Sequence, residues 1–103
     1  MISESLKKEI LSRLQGAYGS SRIYLFGSYA YGSPETGSDL DIAVILSKVE
    51  SRVRESVKIA QLLSDLDYPK DIVVCSDDDF DFYRKEAGSI FRTIAEKGVL
   101  LNG

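Results

Sequence analysis

A chain of 103 residues, 44% hydrophobic and 28% charged, is sized for one compact globular domain spanning residues 1–103, neither disordered nor long enough for a second core. A net charge of −3 offers no general counterion-release surface for DNA or RNA, which argues against a nucleic-acid partner and a stand-alone polymerase. The lack of histidine and the single cysteine, Cys75, exclude an internal disulfide and the usual Cys/His zinc site, so any metal must be held by carboxylates.

The first nine residues are amphipathic and include acids, unlike a secretory signal, and no apolar run reaches membrane-spanning length. The expected location is the cytoplasm, with no membrane partner. Leu6, Ile10, Leu11 and Leu14 recur at helical spacing and predict a helix over residues 3–14, with Ser3 or Ser5 as cap. Residues 15–21, with Gly16, Gly19 and two serines, read as the loop into a first strand, residues 22–26. Gly27-Ser28 ends that strand abruptly, and Ser28 stands at the entrance to a helical turn over residues 29–31. A glycine there lets the backbone turn tightly or approach a ligand, and a hydroxyl with unpaired amides suits a phosphate. Residues 32–38 are rich in turn formers and predict an irregular rim over the site.

Asp39 and Asp41 lead a second apolar strand, residues 42–46, and their spacing puts both side chains on one face. Neighbouring carboxylates repel, which favours either protonation of one or a cation between them. Ser47 is the expected cap of a helix over residues 48–66, whose apolar positions are Val49, Val53, Val57, Ala60, Leu63 and Leu66, with its lysines and arginines on a solvated face. Residues 67–70 turn the chain into a third strand, residues 72–75, opened by Asp71. Strand, helix, strand in that order permits a parallel crossover, which would bring three acids to one sheet end. A helical turn over residues 80–85, a last helix over residues 89–96 and a short strand at residues 99–101 complete the chain.

Gly-Ser, ten residues, Asp-x-Asp, then a later Asp leading a strand resembles the DNA polymerase β-like nucleotidyltransferase superfamily, and most closely its minimal nucleotidyltransferase domains. The resemblance covers nearly the whole chain. It implies an α/β fold, a small mixed β-sheet with flanking helices, and a metal-dependent enzyme that moves a nucleoside monophosphate from a triphosphate, ATP, to a hydroxyl. Asp39, Asp41 and Asp71 are then the catalytic and metal-binding residues, holding two magnesium ions, with Asp71 able to take the acceptor's proton. Gly27 and Ser28 bind the nucleotide's phosphates. Minimal domains of this family are paired with a small helical HEPN-type protein, as antitoxin to its toxin. The expected acceptor is therefore that partner, making the chain a protein adenylyltransferase in a hetero-oligomer, with homo-oligomers also open. The alternatives are a module that neutralises its partner by contact alone, and an enzyme that modifies a small molecule.

Taken singly, each signal has a plainer reading. Gly-Ser is an ordinary turn dipeptide, and Asp39 with Asp41 alone could be turn acids; their combination with Asp71 is what points to chemistry. Asp77, Asp78 and Asp79 read as acids at a helix start, Cys75 as a small buried hydrophobe, and Lys70 as a solvated charge or, less simply, a phosphate contact. Tyr29 and Tyr31 stand where family members often carry arginine. They are candidates to stack on a base, to touch a partner, or to act as acceptors.

Overall fold

The computed structural model describes residues 3–32 and 37–102. Helix α1 covers Glu4–Tyr18, and the Ser3 hydroxyl accepts from the Leu6 amide at 3.1 Å, so of the two candidate caps it is Ser3 that closes the first turn. The helix runs a turn beyond the expected end at Leu14, and only Gly19 to Ser21 remain as the loop. Tyr18 explains the extension: it continues the buried stripe Leu6, Ile10, Leu14 at a spacing of four, and its burial outweighs the helix-weakening Gly16. Arg13 forks onto Asp65 at 2.7 and 2.8 Å, tying α1 to the chain 52 positions on.

Strand β1, Arg22–Phe26, lies antiparallel to β2, Leu40–Leu46, with Phe26 opposite Asp41. The one-turn helix α2, Ser28–Tyr31, separates them, and residues 33–36 of the expected rim lie outside the described residues. Strand β3, Lys70–Ser76, is parallel to β2, and β4, Val99–Leu100, is antiparallel to β1. The sheet order β3-β2-β1-β4 is thus mixed, as the family resemblance implies. Helix α3, Arg52–Leu62, supplies the crossover between the two parallel strands.

Alternation along the strands divides the core in two. On one face Ile42 and Val44 meet Leu6, Ile10 and Leu14 of α1 and Ile59 of α3. On the other, Ala43, Ile45 and Cys75 meet Phe80 of α4, Asp77–Tyr83, and Ile94 of α5, Ile90–Lys97. Being covered on both sides is why residues 42–46 are uninterruptedly apolar.

Helix α3 corrects two expectations. It begins at Arg52 and not near residue 48, because Ser51, not Ser47, accepts from the Arg54 amide at 3.2 Å. It ends at Leu62, with Leu63 and Leu66 buried beyond it. Val53 and Val57, read as core positions, are 76% and 51% exposed, and Ala60 is exposed too. The face that meets the sheet carries Ile59, fully buried, and two residues at about 100° each place Val57 nearly opposite it.

The acids after β3 behave as expected of a helix start. The Ser76 hydroxyl accepts from the Asp79 amide at 3.1 Å, and Asp77 and Asp79 also pair with Arg22 and Arg52. Cys75 is buried and free, and burial pushes its thiol up to about 11. Among the described residues, no helix is long and apolar enough to cross a membrane.

Candidate active site

The parallel ladder between β2 and β3 sets the site. Its register pairs Leu40 with Lys70 and Asp41 with Asp71, so two carboxylates stand side by side on adjacent strands, about 4.8 Å apart at their backbones. Asp39 precedes β2 by one residue and shares the parity of Asp41, which places it at the same sheet end. Asp39 and Asp71 are exposed, whereas Asp41 is half-buried. The Asp41 carboxyl is held above the usual carboxylate range by burial first, then by repulsion from Asp71 and from Asp39. The three acids named from sequence therefore converge and act on one another electrically.

Gly27 closes the site from the β1 side. It sits at φ 74°, a conformation that side chains disfavour, and a Cβ built on it would overlap Oδ2 of Asp41. The sequence singled out this glycine for a tight turn; its second reason, room for the carboxylate, comes only from the β1–β2 pairing of Phe26 with Asp41. Ser28 begins α2, half-buried, and the turn is stitched by the Ala30 amide to Gly27 O and the Gly32 amide to Ser28 O, both 3.0 Å.

Two side chains near the site make contacts that the sequence did not indicate. Lys70 donates to the carbonyls of Leu66 at 2.7 Å and Tyr68 at 3.0 Å, so its ammonium is tied to the turn before β3. Tyr29 is half-buried and meets Tyr68 edge to face, ring centres 5.5 Å apart. Tyr68, which sequence reasoning passed over, had only its place before Pro69 and Asp71 to mark it.

The donor set consists of hard carboxylate oxygens, which suits magnesium and not a soft metal. Among the described residues no three acid or cysteine side chains are gathered tightly enough to cage an ion unaided. Magnesium characteristically takes one or two carboxylates and completes its shell with water and substrate phosphates, so Asp39, Asp41 and Asp71 fit it with a nucleotide present. A groove of about 260 Å³ lined by Lys48, Glu50, Ser51, Arg54 and Glu55 lies past the opposite end of β2.

The nucleotidyltransferase domain model matches residues 4–100. A crystal structure of a toxin–antitoxin with AMP-PNP is similar to this chain, with TM-score 0.67 and 28% identity over 92% of this chain and 71% of that one. An MntA-HpeT toxin–antitoxin with two aspartates, two positions apart, changed to glutamate gives TM-score 0.65 and 25% identity, with the same coverage. A third, an MntA-HpeT structure with a tyrosine-to-alanine substitution, gives 0.64 and 27%, covering 90% of this chain and 68% of that one. No curated protein matches significantly. Since the match runs from the first residue of α1 to the last of β4, this chain belongs to the nucleotidyltransferase domain family.

Proposed function

We propose that the chain transfers AMP from ATP to a hydroxyl on a helical, HEPN-type partner protein, as the antitoxin of a toxin–antitoxin pair. The observation that carries this reading is the in-register pairing of Asp41 with Asp71, with Gly27 against Asp41. In the reaction a bond forms between the acceptor oxygen and the α-phosphorus, the bond from that phosphorus to the bridging oxygen breaks, and pyrophosphate leaves. Asp71, exposed at the strand end, accepts the acceptor's proton; there is no histidine to do so. Asp39 and Asp41 hold the magnesium, which when bound offsets the charge of the phosphates. Gly27 and Ser28 receive the departing pyrophosphate. Nucleotide and toxin partner are supported by the similar structures, one with AMP-PNP and all three described as toxin–antitoxin.

A second reading, neutralisation by contact alone, is favoured by a separate observation. Phe82 and Ile90 are exposed at 61% and 44%, and Tyr83 at 43%, large apolar side chains left uncovered on α4 and α5. The test is intact-mass analysis of the partner after incubation with this chain, ATP and magnesium. Under the transferase reading the partner gains one or more AMP units, and Asp39→Asn with Asp41→Asn lowers the rate by roughly three orders of magnitude or more, the scale of removing metal stabilisation. An unmodified partner that is still neutralised by the double variant would establish contact alone.

A further inference from the structure

We propose that Tyr68 is a positioning residue, bracing the Gly27–Ser28 turn through Tyr29 so that it meets the nucleotide already ordered; this rests on the nucleotidyltransferase reading. Helix α2 has four residues, too few to hold itself by its own hydrogen bonds. It is therefore fixed from outside, by Ala30, which is buried at 7% exposure, and by the ring of Tyr29 standing edge to face against Tyr68.

The other half of the brace is unusually well anchored. The Tyr68 amide donates to Leu66 O at 2.9 Å, and its carbonyl accepts from Lys70 Nζ at 3.0 Å. The next carbonyl, of Pro69, accepts from the Leu40 amide at 2.7 Å. Leu40 sits between Asp39 and Asp41, and Asp71 follows two positions after Pro69. One short segment thus touches all three elements of the site: it carries the third acid, bonds to the strand of the first two, and holds the turn that faces the phosphates. Both tyrosine rings also pack on the core cluster shared by α1 and α3.

The test compares Tyr68→Ala, Tyr68→Phe, Tyr29→Ala and the Tyr29→Ala/Tyr68→Ala double variant. Amide exchange over residues 28–32 is followed with and without magnesium and a non-hydrolysable ATP analogue, and the KM for ATP and kcat are measured separately. The backbone bonds of residues 66–70 do not depend on the ring, and Tyr68→Phe keeps the ring contact. The expected result is faster exchange in α2 and a KM raised about three- to tenfold in Tyr68→Ala, with kcat within about twofold. Tyr68→Phe behaves as wild type, and the double variant is no worse than Tyr29→Ala. An unchanged KM and exchange rate in Tyr68→Ala would overturn the brace. So would a Tyr68→Phe as impaired as Tyr68→Ala, or a loss in kcat and KM alike that tracks a lowered melting temperature. Failure of the underlying reading looks different: wild type itself then transfers nothing from ATP, and the exchange data still decide whether the turn is braced.

Discussion

Gly27 and Asp41 occupy each other's space, and the consequences can be measured one residue at a time. Gly27→Ala forces a side chain into a positive-φ position and against Asp41 Oδ2. The expected cost is about 1–3 kcal/mol of stability, read by denaturant unfolding, together with loss of transfer. Asp41→Asn should do the reverse to stability. The fold raises the Asp41 pKa, so the native state prefers the protonated carboxyl, and stability is lost as pH rises through that raised value. At neutral pH in metal-free buffer the asparagine variant should melt higher, on the order of a few degrees, while losing activity; a lower melting point would show that the carboxylate is not under strain from Asp39 and Asp71. The acids and the Gly-Ser pair were legible in the chain because their spacing relative to apolar runs is itself the signal. Tyr68 and the capture of Lys70 by carbonyls were not, since both depend on contacts made only once the turn before β3 is folded.

At the scale of elements, the sequence pattern identified each helix and strand among the described residues, and it erred where two patterns overlap. Strand β1 falls on its expected residues, because five apolar or half-buried positions are bounded by Ser21 and Gly27. Helix α3 starts four residues late, because Val53 and Val57 mimic a core stripe that the packing of Ile59 does not use. A cap comparison separates the two registers: Ser51→Ala should cost about 1 kcal/mol and Ser47→Ala close to nothing. Likewise Ile59→Ala should cost about 2–5 kcal/mol, whereas Val57→Ala on the exposed face should stay within about 0.5 kcal/mol. Equal effects at the two serines would return the helix start to the earlier position.

Across the whole molecule, one mixed sheet between two helical layers places the acids at one end and buries Tyr18 and Cys75 well away from them. Burial, then the Glu55 carboxylate, push the Tyr18 phenol up to about 12. An unfolded tyrosine ionises near pH 10, so stability present below that pH is lost as pH rises toward 12, and Tyr18→Phe should blunt that loss in alkaline melting curves. The overall architecture could be read in advance because length, alternation and the strand-helix-strand order admit few arrangements. Which exposed surface meets a partner could not, because surface valines and phenylalanines carry no periodic signature.

Under the proposed function, the Asp39, Asp41 and Asp71 end of the sheet, faced by Gly27 and Ser28, binds a metal–nucleotide complex. This binding is tested most directly by crystals grown with manganese and a non-hydrolysable ATP analogue, with data collected at the manganese edge. Anomalous peaks are expected at bonding distance from carboxylate oxygens of Asp39 and Asp41, with the phosphates against Ser28. Manganese and nucleotide bound elsewhere, as in the groove of Lys48 and Arg54, with these carboxylates uninvolved, would contradict it.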